Sequence, residues 1–86
     1  MDLEHLISSS CRRRIVKFLS KVHSANMMEV VREVNSTYNQ VNTHLLILRL
    51  EGVTEEKRYG HMRMIKLNRE NPKTTLLLQA LKILNN

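Results

Sequence analysis

Apolar residues recur at helical spacing through most of this chain and alternate in one stretch near its C-terminal third. Between Asn26 and Val53, the positions Val30, Val31, Val34, Val41, Leu45 and Leu48 form two helical stripes. Asn35-Ser36-Thr37 interrupts them with residues that favour turns and caps. The pattern predicts helix, tight turn, helix: Asn35 in the left-handed conformation, Thr37 capping the second helix and Gly52 closing it. Upstream, Leu3, Leu6 and Ile7 predict a short helical lead-in over 3–8, and the run Ser8-Ser9-Ser10 offers a cap for the next helix. From Cys11 to about Val22, Ile15, Val16, Phe18, Leu19 and Val22 define an amphipathic helix. His23-Ser24-Ala25 fits a short extended connection, and Asn26 a cap. After Gly52 the period changes. Val53–Lys57 and Met62–Leu67 read as strands joined by Arg58-Tyr59-Gly60-His61, a hairpin over about 53–67. Asn71-Pro72 then opens a last helix over about 72–84, with Asn as cap and Pro where its missing N–H is harmless.

That last helix carries Leu76, Leu77, Leu78, Ala80, Leu81, Ile83 and Leu84, apolar around too much of its circumference to rest on one small domain. The excess predicts a second copy of the chain. Leu3, Leu6 and Ile7 of the lead-in, with Leu77, Leu81 and Leu84, are the expected homodimer interface. The alternative is that the subunit's own core absorbs both faces.

Length and charge narrow the partner. Eighty-six residues make one domain, 1–86, with a modest core, so help from a partner subunit is expected. Hydrophobic residues at 42% and charged residues at 26% argue for an ordered domain. The formal charge of +6 and pI ≈ 10.0 favour a polyanion, either nucleic acid or an acidic membrane surface. The opening segment lacks the basic flank and long apolar run of a secretory signal, and no apolar run approaches the ~20 residues of a membrane span. A single cysteine, Cys11, suits a reducing cytoplasm.

Candidate chemistry concentrates at the start of the second helix of the pair. Tyr38, Asn39, Gln40, Asn42 and Thr43 surround the inward Val41 and Leu45. Uncharged hydrogen-bonding side chains grouped there match what base edges in a major groove require: Asn and Gln bond adenine bidentately, and Thr touches a thymine methyl. A solvated polar face is the plainer alternative. Candidates for phosphate contact are Thr37, Arg12, Arg14, Lys57, Arg58, His61 and Arg63. Arg12, Arg13 and Arg14 are successive, and at ~100° per residue they cannot all face one way, so part of that cluster is solvent-facing or interfacial.

The order of elements and several residues together resemble the winged helix-turn-helix transcription regulators, closest to the ArsR-like group. Arg12-Arg13-Arg14-Ile15-Val16 is similar to that group's basic-then-aliphatic helix, and Glu29-Val30-Val31 through Val34-Asn35 to its first helix of the pair. Val41, His44-Leu45, Leu48 and Glu51-Gly52-Val53 fall in step with its recognition helix and the glycine leading into the wing. The match spans about residues 8 to 68. It implies a mainly α fold with a small β-hairpin as wing, a C-terminal dimerisation helix, and sequence-specific duplex DNA binding as a homodimer, usually to repress transcription. A two-fold pair of this kind presents recognition helices ~34 Å apart. The chain departs from the group at Ser36, usually aliphatic, and at Leu46 and Ile47, usually charged; these last two are expected to pack on the terminal helices. The metal-sensing members' ligands are missing: residues 37 to 51 hold no cysteine, and the last helix has no His, Asp or Glu.

The expectation is therefore a cytoplasmic, nucleoid-associated DNA-binding repressor without metal or cofactor, with double-stranded DNA and itself as partners and neither a membrane nor a small-molecule ligand in evidence. A protein-docking winged helix and a non-specific architectural DNA-coating protein are the alternatives. Catalysis is not expected, because the sequence has no acid/base pair, no nucleophile with a base at motif spacing and no phosphate-cradling glycine loop. Cys11, in a first helical turn beside Arg12 and Arg13, has a field that favours the thiolate, set against a plain packing role.

Overall fold

The computed structural model describes residues 2–84. Side-chain caps set where its helices begin. Helix α1, Leu3–Ile7, starts where the Asp2 carboxylate accepts from the His5 N–H at 2.8 Å, and α2, Ser10–Ser20, where the Ser9 hydroxyl accepts from the Arg12 N–H. Helix α3, Met27–Val34, carries a reciprocal capping box between Asn26 and Glu29, and α4, Tyr38–Leu50, one between Thr37 and Gln40. Each cap is worth about 1 kcal/mol by satisfying backbone donors that the first helical turn leaves open.

The ends of the two central helices are closed by left-handed residues. Asn35, at φ 52 and ψ 51, lets its own N–H and that of Ser36 return to the carbonyls of Arg32 and Val31. Gly52, at φ 76, does the same for α4, with Gly52 N–H on Arg49 O and Val53 N–H on Leu48 O, both at 2.9 Å. The strand β2, Thr54–Tyr59, pairs antiparallel with β3, Met62–Leu67, around the two-residue tip Gly60-His61. Helix α5, Pro72–Leu84, closes the described chain.

The sheet has one strand more than the hydrophobic pattern predicts. Ala25–Asn26, β1, pairs with Ile65 and Met64 of β3, giving the order β1-β3-β2. Two residues are too short to display a period, so this strand is defined by its partner alone. The core lies between α2, α3, α4 and the inner face of this sheet, where Ile15, Leu19, Val30, Val34, Val41, Leu48, Val53 and Ile65 are wholly buried.

Asn71 joins the two ends of the fold. Its side-chain amide donates to the carbonyls of Glu51 (3.2 Å) and Gly52 (2.8 Å), while its Oδ1 accepts from the Lys73 N–H at 3.0 Å. One side chain thus caps the end of α4 and the start of α5. Lys73 adds an ion pair to Glu51, and its hydrogen bond holds the Glu51 carboxyl below its ordinary range.

Two sequence expectations are corrected by burial. Arg12, expected at phosphate, is 6% exposed. Its guanidinium donates to the carbonyls of Leu6 (3.0 Å) and His5 (2.8 Å), to Ser8 Oγ (3.4 Å) and to His44 Nδ1 (3.1 Å). Helix α1 is so short that its last carbonyls lack intrahelical donors, and Arg12, with Arg13 on Ile7 O, supplies them. The expected dimer interface is also redrawn. Leu6, Leu77 and Leu81 turn into the subunit's own core, and Leu3 and Ile7 pack partly against it, because α1 lies across α5. Leu84 continues the side of Leu77 and Leu81 but stays exposed at the end of α5, and Leu76, Ala80 and Ile83 line a flank of the helix that is exposed or half-covered.

Two outcomes follow for stability. A Cβ on Gly52 would lie 2.7 Å from Asn71 Nδ2 and would occupy a left-handed conformation. Gly52→Ala is expected to destabilise the fold by about 1–2 kcal/mol, read as a fall in melting temperature of roughly 4–8 °C per kcal/mol. The second concerns His44, whose pKa is held below its ordinary 6.5 by burial and then by the Arg12 charge. Arginine only donates, so His44 Nδ1 accepts in the neutral form. The folded state thus resists a proton that the unfolded chain binds, and the stabilisation is complete above about pH 6.5 and is lost as the pH falls below it. The melting temperature of the wild type should drop more between about pH 7.5 and 5.5 than that of His44→Gln, which keeps an acceptor without titrating in this range. Equal drops would remove His44 as the cause.

Candidate nucleic-acid interface

Helix α4 divides cleanly into two faces. Val41, Leu45 and Leu48 are at most 1% exposed and fasten it to the core, whereas Tyr38, Asn39, Asn42, Thr43, Leu46, Arg49 and Leu50 lie outward. At 3.6 residues per turn, Asn39, Asn42, Thr43 and Leu46 share one stripe. Leu46 continues that stripe at 45% exposure and does not pack on the terminal helices as expected; Ile47 does pack partly against the core.

The polar side chains at the start of α4 are not equivalent. Gln40 faces solvent, but its Oε1 accepts from Ser36 Oγ at 2.7 Å and, more weakly, from the Thr37 N–H at 3.5 Å, completing the capping box. Thr37 Oγ1 accepts from the Gln40 N–H at 3.2 Å and so serves as the cap. Thr43 Oγ1 donates to the Asn39 carbonyl at 2.9 Å, which fixes its rotamer. The Asn39 side chain has no hydrogen-bond partner among the described residues.

Beside this face stands the hairpin. Lys57, Arg58 and His61, near or at its tip, are exposed and have no ion pair or side-chain hydrogen bond among the described residues. Arg58 lies directly opposite Arg63, on the sheet side that carries the buried Ile65, while Lys57 projects from the other side. Gly60, at φ 62, permits the tight reversal that brings these side chains together.

Arg63 does not behave as a wing cation. Its side chain is 11% exposed and grips the Glu56 carboxylate with two hydrogen bonds, Nη2 to Oε1 at 2.7 Å and Nε to Oε2 at 3.2 Å. The bond to Glu56 raises its pKa further, so it is a permanent cation. Nη1 points the other way, donating to Tyr38 Oη at 3.0 Å and Asn42 Oδ1 at 2.8 Å. Arg63 therefore stitches the hairpin to α4, and the expectation of phosphate contact is corrected. Arg49 lies 3.6 Å from the same carboxylate and keeps about half its side chain in solvent.

Glu56 and Arg49 were not legible as site residues, although one signal existed. Glu56 and Arg63 fall on the same side of the hairpin as Thr54, Ile65 and Leu67, so an acid and a base share its inward face. Arg14 is exposed, with Nε on the Val34 carbonyl at 3.1 Å, which braces the end of α3 beside the turn. Cys11 is buried, with Sγ 3.9 Å from Ser36 Oγ. Among the described residues no three His, Cys, Asp or Glu side chains converge on a possible metal position, and no helix is long and apolar enough to cross a membrane.

No protein-family model matches the sequence, and no curated protein matches it. Solved structures do match the fold. The crystal structure of the AntR antimony-specific transcriptional repressor superposes with a TM-score of 0.80 at 15% identity, covering 96% of this chain and 74% of that one. The homodimeric winged helix-turn-helix DNA-binding domain of Mb0332 from Mycobacterium bovis, described as a possible ArsR-family regulator, gives 0.79 at 13% identity over 96% and 75%. The transcriptional repressor BigR from Xylella fastidiosa gives 0.79 at 18% identity over 94% and 81%. The chain has the winged helix-turn-helix fold of these ArsR-type regulators, with α3 and α4 as its helix pair and β2–β3 as its wing.

Proposed function

We propose that this chain is a homodimeric, sequence-specific duplex-DNA-binding regulator of the ArsR-like group that represses transcription from the cytoplasmic nucleoid. One observation carries the reading. Helix α4 presents uncharged hydrogen-bonding side chains outward from a buried apolar stripe, and the adjacent wing tip carries Lys57, Arg58 and His61 without internal partners. Such a surface can place donors and acceptors in a major groove while cations hold the flanking strand. Tyr38, Asn39, Asn42 and Thr43 are the base-contacting set. Lys57, Arg58, His61, Arg14 and the Thr37 end of α4 are the phosphate set, and Arg63 shapes the surface from behind. Neither a catalytic step nor a cofactor enters this role.

The dimer is proposed through α5, whose flank carries Leu76, Ala80 and Ile83 and whose end carries Leu84, apolar side chains that the subunit leaves exposed or half-covered. Ile83 is 74% exposed and Leu84 58%, more apolar surface than a lone helix leaves in water without reason. The structures similar in fold lend support, one of them, a possible ArsR-family regulator, being described as homodimeric.

Separate roles predict separate phenotypes. Lys57→Ala and Arg58→Ala should weaken binding to every duplex and lower the salt slope by about 1 each. Asn39→Ala should cost about 1–3 kcal/mol on a duplex selected from a random pool and nothing on random duplex. Fluorescence anisotropy titrations at several salt concentrations measure both; equal losses on selected and random DNA for Asn39→Ala would remove α4 as the reader. Sedimentation velocity tests the dimer. Ile83→Glu should convert a dimer into a folded monomer with weaker DNA binding, and an unchanged dimer would place the interface elsewhere.

A further inference from the structure

We infer that Arg63 fixes Asn42 as a hydrogen-bond donor and directs it to guanine, leaving Asn39 as the amide that pairs with adenine. The inference rests on the proposed DNA-binding role and deepens it. An asparagine reads adenine by presenting its oxygen to N6–H and its amide hydrogens to N7 together. Asn42 Oδ1 is already held at 2.8 Å by Arg63 Nη1. A guanidinium carries donors alone, so the atom facing it is necessarily the amide oxygen, and the outward group is NH2. Tyr38 is constrained in the same sense: its oxygen accepts from the same Nη1 at 3.0 Å, which leaves its hydrogen to donate outward.

Asn42 and Tyr38 thus form a donor patch backed by a fixed positive charge. Guanine offers two adjacent acceptors, N7 and O6, in the major groove; adenine pairs its N7 with a donor, and cytosine offers a donor only. Gln40 is excluded from a bidentate contact because its Oε1 completes the capping box. Asn39, whose side chain has no internal partner among the described residues, retains both halves of its amide. Arg63 is therefore a positioning residue for specificity, held in place by the Glu56 carboxylate.

Selection of duplexes from a random pool by the wild type, by Asn42→Ala and by the paired variant Glu56→Gln/Arg63→Met tests this. The paired variant removes the guanidinium without stranding an unpaired buried carboxylate. The wild type is expected to require guanine at the base pair whose preference Asn42→Ala abolishes, by about 5- to 150-fold. The paired variant should move that one position from guanine towards adenine, since a released Asn42 regains its acceptor, whereas simple loosening would lower preference at every position. On the unaltered protein, 7-deazaguanine at that position should weaken binding about fivefold or more. Adenine at the Asn42-dependent position in the wild type, no position dependent on Asn42, retention of guanine by the paired variant, or indifference to 7-deazaguanine would each overturn the inference while leaving DNA binding intact. Enrichment of no sequence at all would instead overturn the sequence-specific function on which it rests.

Discussion

Everything on the outer surface of α4 depends on how its inner surface is held. Val41, Leu45 and Leu48 are the only residues of this helix's middle that reach the core fully, and burying each is worth roughly 1.5–3 kcal/mol. That narrow apolar stripe leaves the remaining circumference free to be polar. A helix attached by so little would roll or fray without closed ends. Thr37 and Gln40 close the first end, Gly52 the second, and Asn71 ties the second end to α5. The orientation of the candidate reading face is therefore set by backbone chemistry at both ends as much as by hydrophobic burial between them.

Cations in this chain divide into two populations that net charge alone does not separate. Arg12 and Arg13 satisfy the open carbonyls of α1, Arg69 donates to the last carbonyls of α2, and Arg63 joins the wing to α4 through Glu56. These guanidinium groups act as multi-pronged donors that hold elements together, a task suited to arginine's planar fork. Lys57 and Arg58 have no such duty among the described residues, and their field extends into solvent. A formal charge of +6 therefore overstates the charge free to meet a polyanion: part of the free charge lies at the wing, next to the polar face of α4, and Lys17, Lys21, Arg32 and Lys82 hold more of it on α2, α3 and α5.

The same economy explains how α5 is covered. Leu77 and Leu81 stand one turn apart and point inward with Thr74, so α5 does seal its own subunit. Leu76, Ala80 and Ile83 lie on a neighbouring flank, at ~100° per residue, and remain uncovered or half-covered, while Thr75, Gln79 and Lys82 face fully outward. The self-covering expectation thus holds for one side of the helix, and the apolar residues left on its flank are the surface on which the proposed second copy would rest.

Local chemistry was enough to define the helix pair, its turn, the hairpin and the C-terminal helix, because periodicity, caps and left-handed residues act within a few positions of one another. Asn35, Thr37, Gly52 and Asn71-Pro72 all do in the fold what their residue types favour. What depended on distant partners was beyond the reach of sequence. The strand at Ala25–Asn26 exists because β3 offers it a ladder; Arg12 is buried because α1 and His44 surround it; Leu6, Leu77 and Leu81 are inward because α1 crosses α5. Hydrogen-bonding polarity is the subtlest of these. Asn39 and Asn42 are the same residue type three positions apart on one helical face, and the tertiary contact with Arg63 alone makes one of them a donor while the other keeps both roles.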